Sequence, residues 1–388
     1  MAIPISYNIR NLIVRKTTTL MTGAGIALTV AVLLAVLGLV SGLQSAFDSS
    51  GDPLHVLVLR KGGNSELTSL LTQEQFQIVK NFPGIAKGKD GQPMASLEVI
   101  TVINLPNVEN PEGSNVTLRG LSTRGLGMRK LKILSGRPFN EGQREVMVGK
   151  SIAKRYPNTQ LGKQLRFGKG LWTVVGIMDG NGSSTDSEIF ADGPQVASDY
   201  NRPDTYSSAL LQATDEVTAA ALPNSLQSDP RLNVSVLSEK DYFSSQTEVS
   251  AAPIKFMGFF VCIVMAVGSC FAAMNTMYAA VARRAKEVGT LRILGFTQGS
   301  ILVSFFLESL LLSLLGGLIA CVVVLPLNSI TTGVGNFATF SETSFNIQIG
   351  PSVMLTGLLF SLILGAVGGL LPAMQAAKKE ILTALREV

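Results

Sequence analysis

A few residues have the types and spacing that suggest chemistry. Gly149-Lys150-Ser151 has the end of a phosphate-binding loop, in which backbone N–H groups cradle phosphates and the lysine reaches the terminal ones. The glycine such a loop needs five residues before Gly149 is Arg144, so nucleotide binding is not expected here. Asp179, Asn181 and Ser183 begin like a calcium loop, but its sixth position is Ser184 and its twelfth Phe190, where Gly and Glu are required. A solvated acidic loop is the expectation. His55 is the only histidine, which rules out multi-histidine metal sites and leaves Ser-His-Asp catalysis only if that residue serves; it reads as a surface residue near a membrane. Cys262, Cys270 and Cys321 all lie in apolar stretches and residues 48–252 have none, so no disulfide framework is expected. Trp172, beside Val174 and Val175, reads as a core strand residue. No catalytic, cofactor-binding or metal residue is assigned.

The elements around these residues are those of a membrane protein. Of 388 residues, 46% are apolar and only 15% charged, against roughly a quarter in soluble domains; mean hydropathy is +0.35. A charge at the bilayer centre costs at least about 2.5 kcal/mol, so charge-free runs mark the spans. Residues 17–47, 256–282, 309–341 and 343–377 are such runs, and they place spans at 20–43, 256–280, 302–327 and 351–373. Glu308 falls in the first turns of the third, where it could pair with Arg292 or Arg284 or snorkel, and Pro351 and Pro372 bound the fourth. Between Asp48 and Lys255 there are 22 basic and 22 acidic residues, so the whole net charge of +5 lies outside that segment. The ten remaining basic residues fall before span one, between spans two and three, or after span four; the positive-inside rule makes that side the cytoplasm. Both termini are then cytoplasmic and residues 48–252 form a large outside domain. The 31 uncharged residues of 17–47 are too many for a cleaved signal, so an uncleaved anchor is expected.

The outside segment reads as α+β. Strands are predicted at His55–Leu59, Leu97–Asn104, Val116–Leu118, Glu145–Val148, Gln164–Phe167 and Leu171–Met178, and an amphipathic helix over Leu67–Lys80. The polar stretches Ser225–Pro230 and Ser244–Ser250 lead back to the membrane, the second through a helix. Residues 328–350 are expected as an outer loop. Amphipathic helices are expected at 1–19, where Ile5, Ile9, Leu12 and Ile13 share a face, and over 374–388.

The connection 281–300 is the most informative segment. It carries Arg283, Arg284, Lys286, Glu287 and Arg292, with Gly289 and Gly295 as breaks. Glu287 and Arg292 are expected to face a cytoplasmic partner, while Val288, Leu291 and Leu294 form an apolar face. Asn275-Thr276-Met277, Arg283…Lys286-Glu287-Val288-Gly289-Thr290-Leu291-Arg292 and Leu294-Gly295 resemble the signature of FtsX-like ABC-transporter permeases, a family that includes macrolide-exporter and lipoprotein-releasing types. Leu371-Pro372-Ala373, Ala376-Ala377 and Ala384-Leu385-Arg386 resemble its C-terminus. Gly136-Arg137-Pro138-Phe139, Val148-Gly149, Leu161-Gly162-Lys163 and Trp172–Ile177 resemble its periplasmic core domain. Val288 and Ile293 depart mildly from the commoner Ile and Ala.

The resemblance implies a fold of four transmembrane α-helices with a large α+β periplasmic domain between helices one and two. It implies a subunit that is not itself an enzyme, with ATP and Mg bound by two partner ATPase subunits. A second permease copy, identical or paralogous, and a periplasmic adaptor are further implied partners, the bacterial inner membrane the location. Residues Arg283, Arg284, Lys286, Glu287, Gly289, Thr290, Leu291, Arg292 and Gly295 would then form the coupling segment that docks on the ATPase. Movement of the outer domain would export or extract an amphiphilic substrate; the alternative is a signal transducer that activates a cell-wall hydrolase and moves no substrate. A membrane-anchored ectodomain enzyme lacks a catalytic constellation, and the balanced charge of the outside segment gives no footprint for nucleic acid. Two stripes of small residues, Gly23, Ala27, Ala31 and Ala35 in span one and Ser361, Gly365 and Gly369 in span four, suit close helix packing within or between subunits.

Overall fold

The computed structural model describes residues 10, 14, 16–106, 110–202, 204–336 and 339–378. Most of the helix expected over 1–19 and residues 379–388 of the one expected over 374–388 lie outside these. In chain order, helix α1 (Lys16–Asp48) is followed by β1 (His55–Arg60), β2 (Leu71–Thr72), α2 (Gln73–Lys80), β3 (Ala95–Leu105), β4 (Ser114–Leu121) and α3 (Thr123–Met128). Next come β5 (Lys132–Gly136), β6 (Glu145–Gly149), α4 (Lys150–Arg155), β7 (Gln164–Phe167), β8 (Gly170–Asp179), β9 (Glu188–Asp192) and α5 (Gly193–Asp199). They lead through β10 (Thr205–Tyr206), β11 (Ser208–Gln212), α6 (Glu216–Gln227) and β12 (Val234–Ser238) to the 45-residue α7 (Glu239–Arg283). Then come α8 (Ala285–Ile293), α9 (Gln298–Val324), β13 (Thr331–Gly335), β14 (Glu342–Asn346) and α10 (Pro351–Lys378). The chain divides into two compact units. One holds the residues to Ser41, Pro253–Ile330 and those from Ile347; the other holds Gly42–Ala252 and Thr331–Asn346.

In the helical unit, α1, α7, α9 and α10 are each long and apolar enough to cross a membrane. They pack through small residues. A Cβ on Gly316 of α9 would stand 2.9 Å from the Gly23 carbonyl of α1, and one on Gly317 would strike Ser361 of α10. Gly365 and Gly369 lie against Ser313 and Ser309 of α9, and Gly357 receives the Leu34 side chain. The Ser361, Gly365 and Gly369 stripe is therefore a seam inside the subunit, facing α9. In the α1 stripe Gly23 and Ala27 are buried, whereas Ala31 and Ala35 are half-buried. Pro372, read above as a helix boundary, lies inside α10. Its missing N–H removes one helical hydrogen bond, but Ala373 and Ala376 beyond it are fully buried in a cluster with Val288, Ile301 and Phe305, and that packing carries the helix on.

The outer unit is built on a mixed sheet in the order β12-β1-β11-β3-β4-β9-β6-β8-β5, with β7 paired to β8. The β4–β9 and β6–β8 pairs are parallel and the other pairs on this path antiparallel, as in an α+β domain. One core cluster gathers around Trp172, Tyr156 and Ile189, another around Val56, Leu71 and Leu222. The helix expected over Leu67–Lys80 is replaced by a 3-10 turn (Glu66–Thr68), β2 and then α2. Thr72 sets the start of α2: its hydroxyl accepts from the Gln75 N–H while the Gln75 side chain accepts from the Thr72 N–H, a reciprocal cap that satisfies two otherwise free donors. Ser225, read as part of a polar linker, lies in α6.

Four features of this unit were not visible in the sequence. His55 is 2% exposed rather than on the surface, its Nδ1 2.8 Å from Glu239 Oε2 at the first residue of α7. Asp186, in the loop read as solvated, is buried within salt-bridge range of Lys150. Arg119 of β4 is buried among three carboxylates: it donates to Glu66, Glu98 and Glu188 at 2.7–3.2 Å, and Glu98 is bound again by Arg129. Burial works against the Glu98 carboxylate, yet the guanidiniums of Arg129 and Arg119 outweigh it and hold the group below the usual carboxylate range. Finally, β13 and β14, from the stretch expected as an outer loop, form an antiparallel hairpin that belongs to this unit.

Candidate functional site

The link between α7 and α9 owes its shape to residues that stop helices. Arg284 interrupts the helix between α7 and α8 (φ −105°, ψ 15°). At the other end of α8, Gly295 takes φ +91°, its N–H donates to the Arg292 carbonyl and the Phe296 N–H donates to the Leu291 carbonyl. That paired pattern, with glycine in the left-handed region, closes a helix and satisfies its last carbonyls. Thr297 caps α9 by accepting from the Ser300 N–H at 3.3 Å. A short, firmly ended helix results.

Its inner face is anchored. Val288 packs with Met277, Val281, Ile301, Phe305, Ala373 and Ala376. The Arg284 side chain is only 3% exposed; Nη1 donates to Glu308 Oε2 at 2.7 Å and Nε to Glu287 Oε2 at 3.1 Å. Glu308, 8% exposed, thus pairs with Arg284, one of the partners considered for it. The guanidinium carbon also lies 5.0 Å from the centre of the Phe305 ring, within cation–π range.

The other face is exposed. Arg283, Lys286, Glu287, Thr290 and Gly295 are exposed, and Leu291 and Arg292 half-buried. Ile293 and Leu294 are 61% and 65% exposed, side by side at the tip of α8. Of the nine residues assigned from the sequence to partner contact, Arg284 and Gly289 are therefore buried; Arg284 anchors α8, while Gly289, expected as a break, lies inside α8 and the break falls at Arg284 instead. Ile293 is not among the nine: neighbouring positions on a helix point about 100° apart, and periodicity alone does not say where the inner face ends.

The family model described as the MacB-like periplasmic core domain matches residues 19–228, and the FtsX-like permease C-terminal model matches residues 258–381. The chain belongs to the FtsX-like, MacB-like family of ABC-transporter permeases. The uncharacterized ABC transporter permease YknZ of Bacillus subtilis is 26% identical over 349 residues, covering 84% of this chain and 82% of its own. The macrolide export ATP-binding/permease protein MacB of Neisseria gonorrhoeae is 22% identical over 286 residues, covering 70% of this chain and 43% of its own, so this permease spans less than half the length of that relative. The crystal structure of the periplasmic region of MacB from Actinobacillus actinomycetemcomitans is similar at a TM-score of 0.38 and 14% identity, covering 50% of this chain and 94% of that one. In this permease the α8 tip lies within the FtsX-like segment.

Proposed function

We propose that this permease couples two ABC ATPase subunits to movement of its outer domain, exporting or extracting an amphiphilic substrate across a bacterial cytoplasmic membrane. The subunit works beside a second permease copy, with both termini cytoplasmic and the Gly42–Ala252 domain on the far side. ATP and Mg are held by the ATPase subunits. The observation that carries this reading is the tip of α8. Ile293 and Leu294 are exposed together at the end of a short helix that also exposes Lys286 and Glu287 in its first turn and whose inner face is pinned by Val288 and the Arg284–Glu308 pair. An exposed apolar pair on a helix with charged neighbours suits a protein groove.

The apolar helices support mechanical transmission. No Asp, Glu, Lys or Arg falls in residues 17–47, 256–282, 309–341 or 343–377, and Glu308, the eleventh residue of α9, is neutralised by Arg284. The test is Ile293→Glu with Leu294→Glu in the full chain. Membrane insertion and yield are expected to hold while stimulation of the partner ATPase falls to the unstimulated rate. Wild-type stimulation in this variant would remove the docking assignment.

A further inference from the structure

Gln348, in the leg after β14, donates its N–H to the Gly38 carbonyl of α1 at 3.1 Å, and the β13–β14 hairpin itself belongs to the outer unit. It joins α9 and α10 with little slack. α9 runs into a 3-10 turn (Leu325–Ser329), and Ile330 alone precedes β13. Only residues 347–350 separate β14 from α10, a stretch that reaches at most about 14 Å when fully extended. Those two legs are also tied together: the Ile347 N–H donates to the Ile330 carbonyl at 3.2 Å, and the Ile349 N–H to Asn328 Oδ1 at 2.7 Å.

Within the outer unit the hairpin is clamped. Arg155 at the end of α4 reaches over Gly333, with Nη1 2.6 Å from Glu342 Oε1 and 2.6 Å from Ser344 Oγ. Gly333 is what makes room: a Cβ there would strike Glu342 and stand 2.6 Å from Arg155 Nη1. Ser187 Oγ accepts from the Ser344 N–H at 2.7 Å, and Thr117 Oγ1 donates to Ser341 Oγ at 2.8 Å. Each of Arg155, Ser187 and Thr117 comes from a different element, α4, the 3-10 turn before β9, and β4.

We infer that the hairpin, clamped by Arg155 across Gly333, is a transmission strut that carries displacement of α9 and α10 into the β4–β9 region of the outer domain. This rests on the coupling reading above. A short tether and a many-point clamp leave the hairpin no way to absorb such a displacement by itself.

The test uses the full chain with its ATPase partner in lipid vesicles. It follows ATP hydrolysis and the ATP-driven change in amide exchange over residues 114–121. Gly333→Val and Arg155→Met loosen the clamp, and Thr117→Cys with Ser341→Cys locks it by a disulfide; the native cysteines all lie in α7 and α9. Loosening is expected to cut the exchange change by about threefold or more, and the oxidised lock to leave hydrolysis and exchange as in the same protein after reduction. The lock variant, compared with and without reductant, needs no assumption about the folding of the loosened ones. Loosened variants that behave as wild type, or a lock that stops turnover until reduced, would overturn the strut. Failure of the coupling reading looks different: the wild-type chain itself then shows no ATP-driven change, and both ideas fall.

Discussion

Replacing Glu308 by Gln should destabilise the helical unit, and replacing its partner as well should restore it. Glu308 and Arg284 are nearly excluded from solvent and 2.7 Å apart. Taking one charge from a buried pair leaves the other uncompensated, which costs about 3–5 kcal/mol. Here the lower end applies, because Glu287 still lies 3.1 Å from Arg284 Nε, although its side chain is 55% exposed, and the Phe305 ring still faces the guanidinium. At about 2 °C per kcal/mol, a loss of about 3 kcal/mol lowers the thermal midpoint in detergent by about 6 °C. The double variant Arg284→Met with Glu308→Leu removes both charges and keeps apolar volume, and should lie within about 1 kcal/mol of wild type. The assay is a double-mutant cycle on the unfolding midpoint, with Arg284→Met and Glu308→Leu as the single variants beside the double. If the double variant loses the sum of the two single losses, the residues do not act as a pair and the anchoring of α8 has been misread.

Gly317→Leu and Gly365→Leu should each cost about 1–3 kcal/mol by forcing α9 and α10 apart, whereas Gly25→Ala, whose Cβ would meet nothing within 4 Å, should leave the midpoint unchanged; thermal unfolding in detergent separates the two classes. Glu98 makes stability depend on acid. Its folded pKa lies below the ordinary carboxylate value of about 4.3, so its contribution is complete above that value and is lost as pH falls through the folded one. The gap in unfolding midpoint between wild type and Glu98→Gln should therefore be constant near neutrality and narrow in acid; a gap that widened in acid would refute the Arg119–Arg129 account.

Much of the architecture could be read directly, because membrane and solvent impose different rules on composition. A charge-free run of 31 residues has few alternatives to a span, and a short apolar run rich in β-branched residues and bounded by Pro53 and by Lys61-Gly62-Gly63, such as His55–Leu59, reads as a buried strand. What could not be read depends on side chains meeting across long sequence distances. Arg284 sits in the same basic cluster as Arg283 and Lys286, and only Glu308 and Phe305, more than twenty residues later, draw it inward. His55 looked like a surface residue because Glu239, its buried partner, is 184 residues away. The hairpin was hidden for the same reason. Thr331–Asn346 is uncharged apart from Glu342, and its attachment depends on Arg155, Ser187 and Thr117 far back in the chain.

Whether the tip of α8 touches an ATPase is read by site-directed photocrosslinking in native membranes. A photoreactive residue is placed at Leu294 on the exposed tip, or at Val288 on the buried face, and adducts are identified by mass spectrometry. An adduct to a protein carrying an ABC nucleotide-binding domain is expected from position 294 and none from position 288. An adduct to lipid alone at 294, or the same ATPase adduct from both positions, would contradict that contact.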